Sequence, residues 1–323
     1  MNKNTEYVYV NIKIDSNTAG GKAFFNETRV QPIIDNPTEW ELTIERFFVP
    51  AVDIPIMIFK DNYYSITLSF DGVDITETLI WIPNKSYSGL YGQDVWNYQE
   101  MLDIVNVAFT HAYNQLKAIK PALTPTEPPF ITYEADSRLF VFNAERLYDP
   151  IYNGAPTVEI YMNIQLFKLF NSFQDFESEE LQPKAHRILV KNNGNNLTTI
   201  NGKAYYSTYG EWTTLFGWND LQSIVFETNS IPVVPENQQS QNNQTQQIIT
   251  DFEPLQDINN RSAIQFFPQG ELRYYSLNST TPLYNMNLSV FWKDKEGNFY
   301  PIYINDTETL TIKILFRKRL YLK

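Results

Sequence analysis

A chain of 323 residues with no cysteine, two histidines and a formal net charge of -12 excludes disulfides, Cys-ligated zinc and thiol nucleophiles, and leaves little for a histidine metal site. Its acidity disfavours tight nucleic-acid binding by the whole molecule, because phosphate contacts need clustered Lys and Arg. The 22 Phe and 21 Tyr favour pleated sheet and subunit contact over a helical enzyme.

The length suits one large or two modest domains. The start, MNKNTEYVYV, lacks the apolar core of a signal peptide, and no apolar run reaches about 18 residues, so a soluble protein with no membrane-spanning segment is expected. In YVYVNIKID, Val8, Val10, Ile12 and Ile14 share one face and Tyr7, Tyr9, Asn11 and Lys13 the other, the period of a half-buried strand. Ser16 to Lys22 is a polar Gly-Gly loop, followed by AFFNETRVQPII. Trp40, Leu42 and Ile44 alternate with Glu41, Thr43 and Glu45, then Phe47, Phe48 and Val49 run apolar into Pro50, which predicts a strand buried on both faces at its end. Pro50 and Pro55 make AVDIPIMIF a crossing or edge segment. Tyr64, Ile66, Leu68 and Phe70 form another strand, ended by the hairpin-type turn Asp71-Gly72.

From about residue 73 the character changes. After TETLIWIP comes a helix, roughly Tyr98 to Ile119, with Met101, Leu102, Val105, Phe109, Ala112 and Leu116 on one stripe. Asn97 and Glu100 have capping-box spacing, and Pro121 forbids continuation beyond Lys120. PALTPTEPP connects to ITYEA and RLFVFNA, joined at Asp136-Ser137, and MNIQLFKLFNSF reads as a short helix. His111, in the long helix, and His186, opening HRILVKN, have no nucleophile at motif spacing, so structural roles are expected. Asp175, Glu177, Glu179 and Glu180 lack a calcium-loop spacing and read as a solvated acidic loop. With no phosphate loop, nucleophile elbow or zinc motif, neither an enzyme nor a cofactor or metal is expected.

Alternation returns in LQSIVFETNSIPVVPE, where Ile224 and Phe226 share a face. NQQSQNNQTQQ, Asn237 to Gln247, has no apolar residue and is expected to be a surface loop. IITDFEPL and AIQFFPQGELRYYSL are further strands, the second bent at Pro268 to Gly270. Leu288, Val290 and Trp292 lead into a charged turn, Asp294 to Asn298, and Leu310, Ile312, Ile314 and Phe316 alternate with Thr309, Thr311, Lys313 and Arg317. Terminal strands commonly join one closed or sandwiched domain that hides their edges. Roughly eight strands fall outside residues 73 to 218, the jelly-roll number. The expected fold is therefore all-β: a single jelly-roll antiparallel sandwich from residues 1–72 and 219–323, with an inserted α+β domain at 73–218.

The succession SIVFETNSIPVVPE, a polar loop, IITDFEPL, AIQFFPQGELRYYSL and LSVFWKDKEGNFYPIYINDTETLTIKILFRKR, together with FNETRVQPIIDNPTEWELTIERFFVP, resembles the penton (vertex) capsid proteins of virophages and polinton-like DNA viruses. The resemblance covers most of the chain and rests on shape-like signatures without catalytic letters. It implies a jelly roll with an inserted domain, a homopentamer at the fivefold vertices of an icosahedral virion, and contacts with a double-jelly-roll major capsid protein and minor or cement capsid proteins. It also implies synthesis in the host cytoplasm.

Two places are candidate interface sites. In RKRLYLK, Arg317, Lys318, Arg319 and Lys323 form the strongest local positive charge, suited to the particle interior or an acidic neighbour, with at most weak nucleic-acid contact, while Tyr321 and Leu322 would bury against a partner. Trp212 and Trp218 are the other candidates; they would also form the sugar-stacking platform if the chain were a non-viral β-sandwich binding module for carbohydrate or a receptor.

Overall fold

In the computed structural model, which describes residues 6–17, 21–82, 90–177, 183–234, 247–254, 263–267 and 271–319, the strand Tyr7–Asp15 pairs antiparallel along its whole length with Thr309–Lys318. Val10 stands opposite Ile314 and Ile12 opposite Ile312. The remaining long strands of this part of the chain are Phe24–Thr28, Trp40–Pro50, Leu221–Glu227, Ile248–Phe252, Ala263–Phe266 and Asn285–Asp294. Counted first to eighth along the chain, they pair in a nested series: first with eighth, second with seventh, third with sixth, fourth with fifth. That is one long antiparallel hairpin. It rolls up because the eighth strand also pairs with the third and the seventh with the fourth, giving sheets ordered first–eighth–third–sixth and fifth–fourth–seventh–second. Two such sheets make a jelly roll.

The inner faces follow from the period-2 pattern. Val10, Ile12, Ile14, Leu42, Ile44, Leu310, Ile312 and Ile314 of one sheet and Ile224, Phe226, Leu288, Val290 and Trp292 of the other are all buried. Phe47 joins the two layers, its ring lying 5.1 Å from Phe226 and 4.9 Å from Phe252 across the sandwich and 5.8 Å from Phe266 in its own sheet. The turn after the seventh strand is built as its residues suggest: Asp294 accepts hydrogen bonds from the backbone of Glu296 at 2.9 Å and Asn298 at 2.8 Å, and Gly297 takes φ +90°. One irregularity interrupts the third strand. Its register against the eighth shifts between Lys313 and Ile314, so that Glu45 and Arg46 together face Lys313. Ile44 and Phe47 on either side stay buried, and this bulge keeps both charged residues on the outer face.

The chain divides into two compact units, Met1–Ile54 with Leu221–Lys323, and Pro55–Asp220. This corrects the expected boundary at residue 72. Asp71 and Gly72 take φ +47° and +74° and close a hairpin between Ser65–Phe70 and Val73–Thr78. Both strands of a hairpin belong to one sheet, so the strand assigned by sequence to the roll lies in the second unit. The predicted bend at Pro268 to Gly270 and residues 237–246 of the polar loop lie outside the described residues.

Besides a two-stranded antiparallel pair, Met57–Ile58 with Asp94–Val95, the second unit holds two larger antiparallel sheets. One runs Asp175–Glu177, His186–Ile188, Glu159–Met162, Ser65–Phe70, Val73–Thr78; the other runs Leu197–Ile200, Lys203–Tyr209, Leu139–Glu145, Phe130–Glu134. The helix Tyr98–Ile119 packs on strands of both sheets and buries Met101, Leu102, Val105, Phe109, Ala112 and Leu116. Asn97 caps it, accepting from the Glu100 N–H at 3.0 Å, while Glu100 accepts from the Trp96 N–H at 2.7 Å. MNIQLFKLFNSF contains the expected short helix, Ile164–Leu169, capped by Asn163. No helix among the described residues is long and apolar enough to cross a membrane. The unit's chain ends are tied together, with the Asp220 N–H donating to the Ile56 carbonyl at 2.9 Å and Asp220 Oδ2 accepting from the Ile58 N–H at 2.9 Å.

Two outcomes follow. Phe47→Ala should cost about 3–5 kcal/mol of folding stability by opening a cavity between the sheets, measured by urea denaturation. Because the second unit encloses an apolar core drawn from residues between Ile56 and Trp218, Pro55–Asp220 expressed alone should melt cooperatively. A broad, non-cooperative melt would mean that it needs the roll to fold.

Candidate assembly surface

The register that buries Ile312 and Ile314 also sets what the outer face of the first sheet presents. Tyr7 is opposite Arg317, and Arg317 is opposite Glu41. Arg317 Nε donates to Glu41 Oε1 at 2.7 Å, and the guanidinium lies 3.4 Å from the centroid of the Tyr274 ring. Burial raises the pKa of the Tyr274 hydroxyl, and the positive charge of Arg317 works against that shift. Tyr7 and Tyr9 stack with centroids 6.5 Å apart, and both are about half exposed. Lys313 Nζ lies 4.4 Å from the Tyr9 ring centroid and 2.6 Å from Glu45 Oε2. Tyrosines held flat by cations, with arginine among them, are the residue types that dominate protein interfaces.

The basic end of the chain is arranged differently from the expectation. Lys318 Nζ lies 3.3 Å from Glu6 and 3.5 Å from Glu39. Its pKa is raised, mainly by the hydrogen bond to Glu6. Arg319 donates to the carbonyls of Trp40 at 3.3 Å and Leu277 at 3.2 Å. Arg317, Lys318 and Arg319 are thus engaged by glutamates and backbone carbonyls of the same unit, where the sequence alone suggested a free cationic patch. Pairing of the last strand with the glutamate-bearing third strand was the missing information. Tyr321, Leu322 and Lys323 lie outside the described residues.

In the second unit the two tryptophans part company. Trp212 is about half exposed, with Phe216 nearby in sequence and 82% exposed. Trp218 is fully buried, stacked on Phe140 at 4.7 Å, edge-on to Phe170 at 5.2 Å, its Nε1 donating to the Leu169 carbonyl at 2.7 Å. Trp218 is therefore a core residue and not an interface or stacking group; its position in a short helix, Leu215–Trp218, that turns only Leu215 and Trp218 inward was not visible in the spacing. His186 Nδ1 lies 2.7 Å from Asp175, and its ring stacks on Phe167 at 4.0 Å, while His111 is exposed. A cleft of about 570 Å3 in this unit is lined by Arg187, Glu159, Lys191, Ile151 and Pro156, with Arg187 and Glu159 joined at 2.6 Å. Among the described residues no group of three His, Asp or Glu side chains is placed to hold a metal ion.

Residues 6–318 match the family described as Sputnik minor capsid protein V18/19. The chain belongs to this family. It is 30% identical over 180 residues to structural protein V19 of Sputnik virophage, covering 50% of this chain and 82% of that protein. It is 25% identical over 142 residues to protein V18 of the same virophage, covering 35% of this chain and 85% of that one. A chain in the cryo-EM structure of the Sputnik virophage superposes with a TM-score of 0.81 at 25% identity, over 97% of this chain and 98% of the other. The penton protein of mavirus superposes with a TM-score of 0.75 at 17% identity, over 96% of this chain and 99% of the other, a likeness of fold. Both the roll and the second unit of this capsid family member therefore have counterparts in those structures.

Because Arg317 is engaged within the sheet, Arg317→Ala should lower the stability of the isolated chain by about 1 kcal/mol through loss of the Glu41 and Tyr274 contacts. Retention of DNA in a gel-shift assay should be the same for the variant and the wild type. A drop in retention would assign Arg317 a nucleic-acid role.

Proposed function

We propose that this chain is a penton, a structural protein that assembles as a homopentamer at the fivefold vertices of an icosahedral virion and contacts the major capsid protein around it. The observation that carries the reading is the match to a minor capsid family from residue 6 to residue 318, which spans the roll and the second unit together. The tyrosine and arginine face of the first sheet supplies the interface chemistry the reading needs. The neighbours are a double-jelly-roll major capsid protein and minor or cement capsid proteins, and the chain is made in the host cytoplasm before it enters the shell. Catalysis is not part of this reading: His186 is held between Asp175 and Phe167 as a structural ring. The alternative of a carbohydrate-binding sandwich loses half of its platform with the burial of Trp218.

Native mass spectrometry of the purified chain tests the proposal. A species at five times the 37.8 kDa of the chain is expected. A monomer or trimer that persists at every concentration and salt would sink it.

A further inference from the structure

The outer face of the first sheet also carries a groove of about 390 Å3. Across its floor Lys13 registers with Thr311 and Thr311 with Phe48, while Asn11 registers with Lys313 and Lys313 with Arg46. Phe267, 57% exposed, lines it as well. The bulge is what places Arg46 here, since it gives the third strand two consecutive outward residues. Glu45, the other of the two, is committed to Lys313. Lys13 and Arg46 are exposed and have no ion-pair partner among the described residues. Arg46 moreover stands opposite Lys313, and like charges across a strand pair are unfavourable. A groove with these cations and two aromatic rings fits an acidic protein segment carrying an apolar side chain. The net charge of -12 works against a long polyanion such as nucleic acid.

The same unit carries a surface of the complementary kind. The turn Asn305 to Glu308, closed by the Glu308 N–H donating to the Asn305 carbonyl at 3.0 Å, presents Asp306 and Glu308. Asp53 lies close enough to feel the charge of Glu308, and burial together with that charge raises its pKa. Val52 beside it is half exposed. None of these three carboxylates has a cationic partner among the described residues. Thr309, the next residue, registers with Asp15, so the acids sit at the strand ends whereas the groove opens on the sheet face. Within one chain the two sets leave each other unneutralised.

We propose that the acidic end of one copy, Asp306 and Glu308 with Val52, docks into the groove formed by Lys13, Arg46 and Phe267 of the next copy. The inference rests on the pentameric reading above and names one of its contacts. End against face is a heterologous contact, in which each surface meets a different one, and such a contact repeats around a closed ring.

A charge swap in the full-length chain tests it. Sedimentation velocity would compare wild type, Lys13→Glu with Arg46→Glu, Asp306→Lys with Glu308→Lys, and all four changes together. Each double reversal should weaken assembly about a hundredfold or more, and the fourfold variant should recover it. Thermal melts accompany the series, and Lys13→Gln with Arg46→Gln replaces any reversal that fails to fold. Folded double reversals that assemble like wild type would overturn the contact while leaving the pentamer standing. So would loss of assembly with no recovery in the fourfold variant, because the groove would then meet some other surface. A wild-type chain that never leaves the monomer overturns both readings. A labelled single-stranded oligonucleotide bound by wild type and released by Arg46→Glu would assign the groove to nucleic acid instead.

Discussion

The register between the first and last strands fixes most of what this chain can do. Val10, Ile12 and Ile14 lie opposite Ile314, Ile312 and Leu310, and a slip of one residue would turn every one of these to solvent and bring Tyr9, Asn11 and Lys13 inward. With this pair set, the nested pairs inside it follow by chain length and turn position, and the eighth strand is left with one free edge that the third strand fills. The outer face is then determined as well. Arg317 must meet Glu41, and Lys313 must meet Arg46, because those residues occupy the alternate positions of strands held by their apolar neighbours. The surface chemistry is a consequence of how the inner face pairs.

Alternation along a strand tells which residues share a face, but not which strand lies alongside. That is why Tyr7–Asp15, Asn285–Asp294 and Thr309–Lys318 were legible, and why the long helix was too: Asn97, the spacing of its apolar stripe and Pro121 are local signals. Ser65–Phe70 was equally clear as a strand yet was placed in the wrong unit, although Asp71-Gly72 already tied it to the strand that follows. The carboxylate partners of Arg317 and Lys318 lie more than 270 positions away in the chain, beyond any spacing rule. The bulge at Glu45 and Arg46 was hidden for a further reason. The sequence there reads as an unbroken strand, and only the burial of both Ile44 and Phe47 shows that two neighbours share the outside.

The second unit answers a different constraint. Its long helix and its sheets close on an apolar core of their own, and its entry and exit are joined through Ile56, Ile58 and Asp220. An insertion built this way interrupts the nested pairing of the roll between its third and fourth strands without altering the registers on either side. That independence explains how a chain can carry a large insert and still pair its two ends residue for residue.

If the proposed contact forms, the charges left unsatisfied in the roll bear on which surfaces meet. A capsid subunit needs a face that binds its neighbours, and a face of exposed tyrosines alone would associate with many surfaces. Placing Arg46 opposite Lys313 and burying Asp53 near Glu308 each costs the isolated subunit a little, of the order of 1 kcal/mol or less for the cross-strand pair. These costs are relieved when an opposite charge arrives in the right place. Incorrect partners leave them in force, and the net charge of -12 adds a general repulsion between loosely aligned copies. In the proposed contact, apolar and aromatic surface would supply the affinity, while the incomplete charge pairing within each roll would decide which surface is accepted.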